Sequence, residues 1–196
     1  MTLPSSTIRQ LIETNGAISP VSEERLNTIE GNAFDLTVDE IMLIRGRTRP
    51  QRYETTINKP EVFFGRQKRR VPIQHQITWK PNIDEEYVIE CEPGVPYLFK
   101  TIETVTLPEG VEAEVIPRSS IFRAGGIVVG TWVPHGFTGN LFVHFSIPSG
   151  GHAMTFERGA RFAALKFHAL APGIGTPYDG IWTGDKSCTD GEERAF

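Results

Sequence analysis

Ile116-Pro117-Arg118-Ser119-Ser120-Ile121-Phe122-Arg123-Ala124-Gly125-Gly126 sets two hydroxyls, two guanidiniums and a glycine pair between two short apolar runs, residues 112–116 and 126–130. Strand, polar turn, strand is the unit seen on both sides of it. Residues 38–44, 87–91, 96–102, 140–147 and 161–170 are further apolar runs, separated by many of the chain's 19 glycines and 14 prolines. Short strands at regular spacing, punctuated this way, predict a mostly-β barrel or sandwich. The polar turn itself has two readings. Serine hydroxyls and nearby backbone N–H groups hydrogen-bond phosphate oxygens, and a guanidinium adds charge and a bidentate fork. Arg118 and Arg123 are five residues apart, so on a short helix they splay, one toward a ligand and the other toward the scaffold. The alternative is a capped helical turn with solvated arginines.

Upstream, residues 4–15 read as a helix, with Ser5 and Ser6 as caps, Ile8, Leu11 and Ile12 on one face, and Gly16 after the last turn. Residues 22–26 suggest one further short turn. Two segments break the β pattern. Residues 45–72 carry Arg45, Arg47, Arg49, Arg52, Arg66, Lys68, Arg69 and Arg70 with few apolar residues. They read as a long solvated loop or hairpin, or as a basic patch facing phosphates or a partner. Residues 176–196, rich in Gly, Asp, Thr and Ser, have little to pack against in their own subunit and read as frayed or folded over something else.

The whole reads as a single domain over residues 1–196, comprising an N-terminal helical segment (1–30), the β body, and the C-terminal tail (176–196). With 196 residues and 39% hydrophobic composition the chain can bury a core without staples. A formal net charge of −4 gives no global basic field for a nucleic-acid polymer or an anionic membrane, so a phosphate-bearing ligand must be held by local groups. Cys91 and Cys188 form no CxxC pair, which argues against a disulfide framework or a Cys-rich zinc site and suits a cytoplasmic setting. No apolar run reaches membrane-spanning length and the N-terminus lacks a signal-peptide layout, so a soluble, unexported protein is expected.

Taken together, the motifs resemble those of the dCTP deaminase/dUTPase superfamily. Pro117-Arg118-Ser119-Ser120, followed by Arg123 and Gly126, is similar to its Arg-Ser-Ser motif. Gly136-Phe137-Thr138-Gly139-Asn140-Leu141 resembles its Pro-Gly-aromatic-x-Gly strand start, and residues 159–167 its late Gly-x-Arg-Ile-Ala strand. Asn32-Ala33-Phe34-Asp35-Leu36 and the tail segment 177–184 resemble the opening and closing segments of the deaminase branch. The resemblance implies a distorted jelly-roll, a dUTPase-like β-clip barrel with a short N-terminal helix, assembled as a homotrimer. It further implies a nucleoside triphosphate bound between subunits. Arg118, Ser119 and Ser120 would face the triphosphate, Arg123 the base and the attacking water, and the tail, with Tyr178 and Trp182, would close over the ligand. Mg²⁺ would be carried through the phosphates, without zinc.

Five positions depart from that pattern. The family's catalytic Glu falls on His144, and the Asp that helps activate water in dUTPases falls on Pro134, which can do no acid/base work. Ala164 stands where dUTPases place a phosphate-contacting Gln, and in the tail Ile181 and Asp185 replace a Lys and a Gln. An imidazole titrates near neutral pH and can serve as a replacement base. Alternation places Phe142, His144 and Ser146 on one strand face and Val143 and Phe145 on the other, so His144 points with a polar neighbour, as a site residue would. The alternative is a histidine hydrogen-bonded in the barrel or at a trimer axis. His135, beside the turn, is another candidate but reads more as a loop residue, and His75, His152 and His168 read as surface. The expected activity is dCTP deaminase-like, with metal-free hydrolytic deamination of a (deoxy)pyrimidine nucleoside triphosphate. A catalytically silent nucleotide-binding or sequestering protein is the alternative, and a dUTP diphosphatase a third, disfavoured by Pro134.

Overall fold

The computed structural model describes residues 1–29, 31–44, 70–71, 75–77, 88–171, 173, 175–179 and 193–194. Most of the basic stretch 45–72, and Trp182 in the tail, lie outside them.

The N-terminal helix α1 (Ser5–Asn15) buries Ile8 and Ile12 and ends at Gly16 in the left-handed conformation, φ 63°. Its start differs from expectation. Pro4 occupies the N-cap and no side chain caps the helix, because Ser5 and Ser6 already lie in the first turn. After β1 (Ile18–Ser19), a five-residue helix α2 (Glu23–Asn27) is capped by Ser22, whose side chain accepts from the Arg25 backbone N–H. The rest is strand: β2 (Ala33–Ile44), β3 (Arg70–Val71), β4 (His75–Ile77), β5 (Val88–Cys91), β6 (Pro96–Thr106) and β7 (Val111–Pro117). The Arg-Ser-Ser turn then forms the helix α3 (Ser119–Arg123), followed by β8 (Ile127–Val129), β9 (Trp132–Val133), β10 (Thr138–Ser146), β11 (Met154–Glu157), β12 (Arg161–Ala169) and β13 (Glu193–Arg194).

The main sheet is antiparallel in the order β8-β10-β6-β2-β12-β7-β9, with β1 added to β6 and β4 to β2. Its end strands, β8 and β9, are neighbours in sequence, joined only through Gly130 and Thr131. A sheet whose two ends are two residues apart must curl, which is why the fold is a half-barrel. Gly130 allows the closure, since a Cβ there would lie 2.2 Å from the Val115 carbonyl oxygen. The Val115 N–H donates to the Thr131 carbonyl at 2.9 Å across the same seam.

The strict alternation of burial in β6 and β10 drives one face of each inward. Phe99, Phe145, Phe156 and Phe162 meet there. Phe99 stacks on Phe145 at 4.7 Å and meets Phe156 and Phe162 edge-on at 5.0 and 5.2 Å, the offset and T-shaped geometries that aromatic quadrupoles favour. This is the distorted jelly-roll expected from the sequence.

One polar network is buried under α2. The Glu103 carboxylate is fully buried, and it accepts from Arg25 and from both the backbone N–H and the hydroxyl of Thr37. Arg25 also donates to the Asp35 carbonyl and lies 4.6 Å over the Phe34 ring. A carboxylate this deep is tolerable only when paired and hydrogen-bonded. The network fixes β2 at Asp35 and Thr37 against β6.

Candidate functional site

The Arg-Ser-Ser turn leaves the end of β7 with Arg118 in extended conformation at the N-cap of α3. Ile121 is buried and anchors the helix, which leaves Ser119, Ser120, Phe122 and Arg123 exposed. Two glycines then turn the chain into β8. Gly125 has φ 90°, and a Cβ on Gly126 would come within 2.8 Å of the Phe145 ring and 2.9 Å of the Ile121 side chain. The turn is thereby locked onto the aromatic core.

The two arginines splay as their spacing predicts. Arg123 reaches back to the Ser119 hydroxyl at 3.5 Å. Arg118 turns the other way and pairs with Asp35 of β2 at 3.0 Å. Arg161, at the start of β12, pairs with the same Asp35 oxygen at 3.3 Å. Three separate motifs, Phe34-Asp35-Leu36, Arg118-Ser119-Ser120 and Gly159-Ala160-Arg161, therefore converge on one carboxylate. The sequence carried each residue inside a motif, but their meeting is a product of β12 lying between β2 and β7.

His144 lies in β10 opposite Leu98 of β6 and Val129 of β8. It is half-buried on the outward face, with Phe142 and Ser146, as alternation predicts. Its Nδ1 is buried and has no hydrogen-bond partner among the described residues. Exposed Ile127 and Val129 flank it on β8. Among the described residues no hydrogen bond or ion pair joins His144 to Arg123.

At the other end of β10, the turn before the strand corrects two expectations. His135 lies in the turn, as expected of a loop residue, but is buried: 7% of its surface is exposed and its Nδ1 also lacks a partner among the described residues. The described part of the tail packs on its own chain. The Tyr178 N–H donates to the His135 carbonyl at 2.9 Å, its ring lies 6.2 Å from Phe137, and Pro177 covers Gly136 so closely that a Cβ there would come within 2.7 Å. The repeated Pro and aromatic residues at 177–178 were the available signal, but a glycine as their receptor leaves no hydrophobic mark in the sequence. His168 is likewise half-buried, its Nδ1 3.5 Å from the Thr2 hydroxyl. His152 is exposed as expected. The His75 side chain lies outside the described ones.

Two hollows adjoin these elements. One, of about 660 Å³, runs between β7 and β9 beside Glu112, Pro117, Gly130 and Trp132. The other, of about 420 Å³, lies between α2 and the start of β12, with Arg25, Asp35 and Arg161 in its wall.

A curled antiparallel half-barrel bearing an Arg-Ser-Ser turn on its rim defines a protein with the dUTPase/dCTP deaminase fold. Comparison with a solved structure, the 2′-deoxycytidine 5′-triphosphate deaminase from Agrobacterium tumefaciens, gives a TM-score of 0.59 at 18% identity. The match covers 85% of this chain and 46% of that one, so this chain spans about half its length. The dCTP deaminase-like family matches residues 2–170, and the chain belongs to that family. Among its relatives, a dCTP deaminase of Metallosphaera sedula is 29% identical, over 88% of this chain and 86% of the relative. A probable deoxyuridine 5′-triphosphate nucleotidohydrolase of Halobacterium salinarum is 30% identical, over 88% and 91%. A nucleotide-processing role of the deaminase or dUTPase type follows. Among the described residues no helix is long and apolar enough to cross a membrane.

Proposed function

We propose that the protein is a dCTP deaminase-like hydrolase whose nucleotide site is completed between copies in a homotrimer, with His144 in place of the family's carboxylate base. The observation that carries this reading is the His144 Nδ1, a buried polar atom on an outward strand face without a partner among the described residues. Buried polar atoms are nearly always satisfied, and one that is not marks a ligand, a water or a partner chain. Distance supports a shared site. Tyr178 is fixed at Phe137, and His144 lies seven residues further along β10, on the order of 20 Å at strand rise. A separation of this order favours a site to which a second copy contributes some of these residues.

In this reading Ser119, Ser120 and Arg118 take the phosphates. Arg123 orients the base and the attacking water. His144 accepts a proton from water as its oxygen bonds to C4, and returns a proton to the departing amine, so that dCTP and water give dUTP and ammonia. Among the described residues no three His, Cys, Asp or Glu side chains gather as a metal site. The Mg²⁺ of this reading comes with the nucleotide, on its phosphates, and no step runs through it.

Pro134 and His144 in place of both family carboxylates favour a second reading, a protein that binds the nucleotide without turning it over. Incubation with dCTP, dUTP and Mg²⁺, followed by separate assays for ammonia, pyrophosphate and binding, divides the cases. Ammonia release from dCTP supports the first reading and binding without product the second. Pyrophosphate release from dUTP would replace both with a diphosphatase.

A further inference from the structure

Asp35 uses a single oxygen, Oδ2, to meet two guanidiniums, Arg118 at 3.0 Å and Arg161 at 3.3 Å. Each guanidinium carries five N–H donors, so most of the fork on both sides is left for another acceptor. The trio keeps a net positive charge of one. Two like charges drawn together around one carboxylate are a poor stitch for stability alone, since partly exposed ion pairs contribute little. They are a good arrangement for holding an anion with more than one charged oxygen.

The carboxylate that aligns them is itself fixed from behind. Arg25 donates to the Asp35 carbonyl while held by the fully buried Glu103, which also takes both donors of Thr37 two residues on. Asp35 therefore stands on a pinned length of β2. Arg161 is half-exposed and opens into the 420 Å³ hollow, whose rim carries the hydroxyls of Ser22 and Thr28 and, as the opposing charge, Glu24.

We infer that Asp35 is a positioning residue, holding Arg118 and Arg161 side by side as a two-pronged grip on the polyphosphate chain of the nucleotide, and that Arg161 is a further phosphate-binding residue. This rests on the nucleotide-site reading above and adds Arg161 and Asp35 to it.

The test is calorimetric titration with inorganic tripolyphosphate at fixed ionic strength, with melting temperature measured on the same samples. Arg161→Ala should bind about tenfold or more weakly, the range for a lost charge-assisted hydrogen bond, and Arg161→Lys should recover part of the loss. Asp35→Asn separates positioning from charge. Removing a negative charge strengthens anion binding by Coulomb's law, whereas loss of alignment weakens it, and about fivefold weakening is expected. Tighter binding by Asp35→Asn would make Asp35 a mere counterion and overturn the positioning role. Should Asp35→Asn fail to fold, the half-exposed Arg161 pair of variants decides alone. If Arg161→Ala binds as wild type while Arg118→Ala is weakened, the grip is wrong and the phosphate site stands. If both arginine variants bind as wild type, the phosphate site falls with it.

Discussion

His144 has a backbone position set by its pairing with Leu98 and Val129, and a ring nitrogen that nothing among the described residues satisfies. If it is the base, His144→Ala should keep nucleotide affinity while losing about 10² to 10⁴-fold in turnover. His144→Glu should retain or raise deamination. A purely structural histidine predicts instead a lower melting temperature in both variants with equal binding per folded molecule, and full activity in His144→Ala would remove the base assignment. Cys91 illustrates the opposite kind of residue. It is fully buried and unpaired, and burial pushes its thiol up to about 12 from 9.0. Such a thiol stays protonated and inert at neutral pH. In a Cys188→Ser background the native protein should not react with a disulfide reagent at pH 8, and should react fully once denatured. Because the folded value lies above the unfolded one, the protonated thiol's contribution to stability is complete below about pH 9 and is lost as pH rises toward 12. An unfolding series across that window should show stability falling, and a rapid native reaction at pH 8 would show that the site opens.

At the scale of elements, the strands were legible because alternation and Gly/Pro punctuation act locally. Residues 140–147 were expected as a strand and β10 runs Thr138–Ser146; residues 161–170 became β12, Arg161–Ala169. Alternation likewise placed His144 on the outward face. Some short elements were missed: β1, β9 and β11 have two, two and four residues, and unlike the equally short β5 and β8 they do not stand in a continuous apolar run. The Asp35 cluster was illegible because only the strand order brings its three motifs together. The seam at Gly130 belongs here too. Gly130→Ala would drive a methyl into the Val115 carbonyl, with backbone on both sides to resist it. A loss of about 1–3 kcal/mol in urea unfolding is expected, and an unchanged midpoint would show that β8 and β9 are not drawn together as described.

For the whole molecule, the outward face of β10 poses a question that one copy does not answer. Ile127 and Val129 are 47% and 52% exposed, beside half-buried Leu98, Phe142 and His144. Adjacent apolar side chains around an unsatisfied ring nitrogen make a surface better suited to another protein surface than to water. The distance between His144 and Tyr178 favours the same reading. A closed ring of three is the assembly expected of this reading. Light scattering at micromolar concentration should therefore give about three times the chain mass of 21.9 kDa. Val129→Lys places a charge in the middle of that face without touching the core, because Val129 points away from buried Val128. It should lower the mass toward that of the single chain and abolish nucleotide binding, while circular dichroism stays that of the folded sheet. Two results would overturn the shared site in different ways. A wild type that is a monomer yet binds nucleotide would place the whole site within one copy. A trimeric Val129→Lys that binds normally would move the interface to another face, and His144 with it out of the site.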